Sequence, residues 1–174
     1  MDLLSNIALF KDFSEELLEA ITNSFHLKEL KAEEVLFNEG DDGESLFVLV
    51  EGLLEVSIQI EGKKKHLSIL RPGSFLGEMA LLTGEKRSAD VTSSTESLVG
   101  ELTKDSIMSL ATENPEVLKK MTAVVAKRRM KNKEIAAASG KDHDKAVQKE
   151  EKNLMSRVTN FFFGKKKKSF SITA

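Results

Sequence analysis

The chain has no cysteine in its 174 residues, so it can build neither a disulfide framework nor a thiolate metal site. No apolar run approaches the length that spans a bilayer, and Met1-Asp2 followed by a mixed segment lacks the form of a secretory leader. The three histidines, His26, His66 and His143, are widely separated, and each reads as a surface residue rather than a ligand. Missing as well are a Ser/His/Asp or Cys/His constellation, a metal cluster and a P-loop lysine, which leaves a catalytic reading little to stand on. The expectation is a non-enzymatic, metal-free, cytoplasmic chain, membrane-peripheral only if something recruits it.

What is present suffices for one good-sized core: 40% of the residues are hydrophobic. The net charge of −2 conceals an asymmetry, since residues 139–174 hold nine Lys/Arg against four Asp/Glu, net +5, and residues 1–138 hold 17 against 24, net −7. Electrically the tail is a different object from the body.

Residues 3–25 place Leu3, Leu4, Ile7, Leu9 and Phe10, then Phe13, Leu17, Leu18, Ile21 and Phe25, at mixed three- and four-residue spacings, which predicts two helical pieces. Asp12 or Ser14 can cap the second, with Glu15 and Glu16 in its first turn where the helix dipole favours acids. From Phe25 to Leu102 the period changes. Short apolar runs at 26–30, 35–37 and 46–50, and an alternating run at 54–60, are separated by turn residues at 38–43, 51–52, 61–63, 71–73 and 83–84. Leu67 to Leu70 and Val91 to Leu102 complete a pattern that predicts a small antiparallel barrel or roll. The acidic turn at 39–44 lacks the ligand spacing and closing glutamate of an EF-hand, which argues against calcium. Helical periodicity returns at Thr103 or Lys104-Asp105 and stops at Asn114-Pro115, because the residue before proline avoids the α region. Pro115 then opens a longer helix with the stripe Val117, Leu118, Met121, Val124 and Val125 and a basic end at 127–133. Past Glu134 the composition turns to that of a linker or frayed helix.

The unusual chemistry is concentrated in Gly73 to Val91, GSFLGEMALLTGEKRSADV. Gly77 precedes five good helix formers, Glu78 to Leu82, which Thr83 and Gly84 stop. The first amides of such a turn lack intrahelical partners and lie at the positive end of the dipole, which suits a phosphate. Arg87 adds a planar fork of donors that fits phosphate oxygens. Glu78, of opposite sign, would repel a phosphate unless it accepts hydrogen bonds from neutral donors of the same molecule, and ribose hydroxyls are such donors. The pair implies a nucleotide with little phosphate charge.

The ordered set G-E-x-A-L-L, four residues, then R-S-A-x-V resembles the phosphate-binding cassette of the cyclic nucleotide-binding domain family. The stretches L-F-x-x-F-S-x-E-x-L at 9–18 and G-D-D-G-E-S-L-F-V-L-V-E-G-L-L at 40–54 resemble that family's helical entry and the turn that caps its roll, so the likeness covers residues 5–135. The resemblance implies an α+β fold: an antiparallel, jelly-roll-like β-roll over 26–103, N-terminal helices over 3–25, a short cassette helix, and C-terminal helices over 104–138. It further implies that Arg87 holds the cyclic phosphate and Glu78 the ribose 2′-hydroxyl, that Gly77, Ala80 and Ala89 present amides with Met79 among them, and that Ser88 lies beside phosphate and base. By the same resemblance, Leu70 would end the strand that lines the base pocket, and Arg128 would be a candidate contact of a last helix that closes over the base. Many members carry proline just before the arginine; here it is Lys86, as channel-type members have a basic residue there. The implied ligand is cAMP, or cGMP by way of the Ser88 hydroxyl, with cAMP the expectation.

Three readings of the tail stay open. Leu154, Met155, Val158, Phe161 and Phe162 recur at helical spacing beside Lys165 to Lys168, so residues 150–170 read as a helix docked on its own roll, on an anionic membrane or on another protein. No helix-turn-helix pattern follows the long helix, and nucleic acid is not an expected partner. The function expected is a cyclic nucleotide sensor of residues 1–138 that signals through C-terminal helices and a tail, 139–174, to an unknown effector protein. The alternative is a scaffold of the same fold that has given up nucleotide.

Overall fold

The computed structural model describes residues 3–136 and 143–163, with side chains for 4–130 and 149–162. After a 3₁₀ turn at Leu3–Asn6, helix α1 runs Glu15–Ser24. Of the two cap candidates Ser14 is used, its hydroxyl accepting from the Leu17 amide at 3.4 Å, with Glu15 and Glu16 in the first turn.

Eight strands follow: β1 His26–Leu30, β2 Val35–Phe37, β3 Ser45–Glu51, β4 Leu54–Ile60, β5 Lys63–Leu70, β6 Phe75–Leu76, β7 Asp90–Ser93 and β8 Ser97–Thr103. They form two antiparallel sheets, ordered β1-β8-β3-β6 and β2-β7-β4-β5, which face each other as the roll that the sequence predicts. Between the sheets lie Leu30, Leu36, Phe47, Leu49, Leu54, Leu76, Val91 and Val99, all buried. Strand β5 begins four residues earlier than the apolar pattern shows. Glu61 and Gly62, at φ 50° and 74°, make a two-residue turn of the primed kind, which pairs Ile60 with Lys63 and extends the hairpin through three lysines. Because β5 is an edge strand exposed along most of its length, it shows no alternation, and its lysines discourage pairing with another chain.

Helix α2 occupies Glu78–Thr83, bounded by Gly77 and Gly84 at φ 80° and 72°. Helix α3 is Lys104–Glu113, capped by Thr103 and ended at Asn114; α4 is Glu116–Ala136; α5 is His143–Phe163. A second, larger cluster joins α1, α3 and α4 to the roll, with Ile7, Phe10, Ile21, Leu46, Leu82, Ile107 and Met121 among its members.

The structure takes the first of the three tail readings for the described residues. Leu154, Val158 and Phe162 are buried at 1%, 0% and 5% exposure within that larger cluster, and Phe161 and Met155 pack on its edge. Burial of three such side chains is worth on the order of 1.5–3 kcal/mol each, so they are committed to the protein's own core and do not form a free face for lipid. The stretch set apart by composition thus shares the core of the body. Phe163 beyond its backbone and Lys165 to Lys168 lie outside the described residues. Among the described residues no helix is long and apolar enough to cross a membrane.

Candidate functional site

The chain enters the site through a turn that the roll clamps. Gly73 N–H donates to the Leu49 carbonyl at 2.8 Å and Leu49 N–H to the Ser74 carbonyl at 2.9 Å, which aims β6 along β3 and delivers Gly77 to the start of α2. Gly77 has a positive φ and no space for a side chain: an added Cβ would lie 2.3 Å from Arg87 Nη1. The first intrahelical bond runs from the Leu81 amide to the Gly77 carbonyl at 3.2 Å, so the amides before it sit at the open, positive end of the turn.

Arg87 is fixed by its backbone as well as its side chain. Its N–H donates to the Asp41 carbonyl at 2.8 Å, and its own carbonyl accepts from Gly40 N–H at 2.9 Å, so the acidic turn at 38–43 acts as a backbone clamp. The guanidinium is buried at 6% exposure, donates through Nη1 to the Gly77 carbonyl at 3.0 Å and stacks 4.3 Å from the centroid of Phe37. Its Nε is buried without a hydrogen-bond partner. Burial pushes the Arg87 pKa down, opposed by the charges of Glu101, Glu78 and Asp41, and the group stays cationic.

Glu78 is buried too, and that burial raises its carboxyl above the ordinary value against the pull of Arg128, its own backbone amide and Arg87. These groups surround a cavity of about 440 Å³. All nine residues singled out in the sequence line it. Gly77, Glu78, Met79 and Ala80 come from the cassette turn, Arg87, Ser88 and Ala89 from the segment after it, Leu70 from the end of β5 and Arg128 from α4. Ser88 is exposed at the rim, whereas Ala89 is buried. Leu67 joins Leu70 from the strand expected to line the base pocket, whereas sequence reasoning missed Phe37, Val56, Val91 and Val125 of the apolar wall. Their periodicity marks them only as inward-facing, and nothing in it separates a residue that faces a cavity from one that faces packed core.

Behind the cassette lies α5. Arg157 reaches Glu85 in an ion pair, which holds the Glu85 carboxyl below its ordinary value; the Phe161 ring lies against Gly84, where a Cβ would come within 2.5 Å of it. Lys104 sits 3.7 Å above the same ring, and Arg129 pairs with Glu150 at 3.3 Å.

A roll with a glycine-opened turn, a buried arginine and a buried glutamate about one cavity defines a nucleotide-binding regulatory domain. The chain belongs to the cyclic nucleotide-binding domain family, whose model matches residues 27–114. It is 32% identical over 124 residues to the cAMP-activated global transcriptional regulator CRP of Escherichia coli O6:H1, a match that covers 70% of this chain and 59% of that protein. The chain thus spans little more than half the length of such curated relatives. Among solved structures it resembles the N-terminal domain of a transcriptional regulator from Streptomyces coelicolor A3(2), at a TM-score of 0.68 and 27% identity over 80% of this chain and 100% of that one. It also resembles the regulatory domain of Toxoplasma gondii PKA crystallised with cAMP, at a TM-score of 0.60 and 26% identity over 71% of this chain and 55% of that one. These relatives are regulatory by name rather than catalytic.

Proposed function

We propose that the chain is a non-catalytic sensor of a cyclic nucleotide, cAMP by expectation, and that it passes the signal through its C-terminal helices to an effector protein. The observation that carries the reading is Arg87: a buried cation with a partnerless Nε, lining a cavity that also holds the open end of a helical turn. A buried donor left unmade costs about 1–3 kcal/mol, and a phosphate oxygen would satisfy it. Most other charges at the cavity already have partners: Lys86 with Asp42, Arg129 with Glu150, Glu85 with Arg157 and Glu78 with Arg128. Among the described residues Arg87 has no ion pair at the cavity, although the charges of Glu101, Glu78 and Asp41 act on it, which favours a ligand with little negative charge, such as a cyclic phosphodiester. The cavity volume falls within the range of roughly 300–1,000 Å³ usual for small-molecule sites. Arg87 and the amides of Gly77, Ala80 and Ala89 would hold the phosphate, Glu78 the ribose 2′-hydroxyl, and Leu70 with the apolar wall the base; Ser88 stands at the rim where base and phosphate meet. The ligand acts by its differential affinity for two arrangements of the helices.

A scaffold of the same fold is the second reading, and one observation favours it: Arg128 already engages Glu78 inside the cavity. Competition titration of the full chain with cAMP and cGMP decides between them. Binding of cAMP in preference to cGMP is expected; binding of neither selects the scaffold.

A further inference from the structure

Between the end of α2 and Arg87 the chain passes through three exposed residues, Gly84, Glu85 and Lys86. Lys86 pairs with Asp42 of the acidic turn that also clamps the Arg87 backbone. Glu85 and Gly84 are held by α5 instead. Arg157 Nη2 lies 2.5 Å from Glu85 Oε1, while the Glu85 amide donates to the Thr83 hydroxyl at 3.4 Å, so side chains rather than sheet pairing fix this stretch. The Phe161 ring fills the place of a side chain at Gly84 and carries Lys104, the first residue of α3, 3.7 Å from its centroid. The helix that makes both contacts is anchored independently of them, by Leu154, Val158 and Phe162 in the core and by Glu150, which pairs with Arg129 of α4 at 3.3 Å. Arg157 and Phe161 are four residues apart and share a helix face, so one side of an anchored helix abuts the segment just ahead of Arg87.

We propose that α5 is a working part of the nucleotide site and that Arg157 is its positioning residue: through Glu85 it sets the stretch that presents Arg87 to the cavity. The inference rests on the sensor reading above and deepens it. Glu85 lines the cavity and Arg157 does not, so the influence of α5 on a ligand passes through that pair. Its direction follows from the arrangement. With α5 docked, Gly77, Ala80, Arg87 and Ala89 already border one cavity, so docking favours the geometry that a phosphate requires. Linkage makes the effect reciprocal, and a nucleotide that binds this arrangement holds α5 on the core by the same factor. A route from ligand to tail then runs from Arg87 through Glu85 to Arg157, beside the one through α4.

The test is a double-mutant cycle on nucleotide affinity: calorimetric titration of the full chain with cAMP in the wild type, Glu85→Gln, Arg157→Met and the two substitutions together. The side chains of Arg157 and Glu85 are 43% and 45% exposed, so the variants should fold, and thermal unfolding of each verifies it. The readout is the factor by which Arg157→Met weakens cAMP, compared between the Glu85 and Gln backgrounds. Long-range attraction of the phosphate to the removed charge enters both backgrounds and cancels. The factor should be about threefold larger with Glu85 present, within the worth of a half-exposed ion pair. Equal factors in the two backgrounds mean that Arg157 acts through its charge alone, and the proposal is wrong. A smaller factor with Glu85 present overturns it as well, because docked α5 would then oppose the ligand. A wild type that binds neither cAMP nor cGMP refutes the sensor reading itself, and this shows before any substitution is made.

Discussion

Arg87→Met is expected to separate binding from stability. The substitution removes the donor to the Gly77 carbonyl, worth about 1 kcal/mol, and the cation stacked on Phe37, worth about 0.5–2 kcal/mol. It also removes a buried charged group whose Nε has no partner, a relief of about 1–3 kcal/mol, and it keeps an unbranched apolar stem in the same slot. The backbone clamp to Asp41 and Gly40 is untouched by a side-chain change. These contributions nearly cancel, so the unfolding midpoint without nucleotide should stay within about 4 °C of wild type, the shift that about 1 kcal/mol produces in a domain of this size. Binding has no such compensation. Loss of a charge-assisted contact to phosphate, about 1.5–3 kcal/mol, should weaken cAMP about 10- to 150-fold in calorimetry. Unchanged affinity would refute the assignment of Arg87 to phosphate. A fall in midpoint beyond about 10 °C would show that the guanidinium is a structural pillar and that the accounting of its burial is wrong.

Acidification should weaken cAMP binding. Burial raises the Glu78 carboxyl above its ordinary value, so the carboxylate proposed to accept the ribose hydroxyl is neutralised sooner than an exposed acid would be; Glu78→Gln should flatten the pH profile of the measured affinity. The sign for stability is opposite: a raised carboxyl contributes most below the pKa of the unfolded chain, and its contribution is lost as pH rises through the folded value. Leu154→Ala, at a site 1% exposed in α5, should cost about 2–5 kcal/mol in urea unfolding; a loss under about 1 kcal/mol would mean that the helix rests loosely on the core.

Much of the site is legible in the sequence because it depends on backbone necessities. Gly77 and Gly84 limit α2 where an L-residue would be strained, Asn114-Pro115 ends α3, and Glu78 stands out as the one charge in the run from Gly77 to Thr83. Other features leave no local mark. The lysines of β5 read as a charged loop, because an edge strand with two exposed faces needs no alternation, and β6 is too short to show a period. Phe37 under Arg87 becomes visible only once β2 is laid beside β7. The tail is the instructive case. Its helical stripe is plain at Leu154, Val158 and Phe162, yet three different surfaces could have taken it, and the choice depends on Gly84, which is far away in sequence and leaves space for Phe161.

Gly43 belongs to the acidic turn and packs against the cassette. A methyl there would lie 2.2 Å from the Cβ of Ala80 and 3.0 Å from the guanidinium carbon of Arg87, so the turn, the helix and the arginine interlock around a missing side chain. In a mutational scan scored by nucleotide affinity, this position would rank with the residues that line the cavity although Gly43 itself lies outside the lining. Such a scan maps the fitting of parts around the arginine as well as the footprint of a ligand. The two patterns separate only when each loss is set beside the variant's folding.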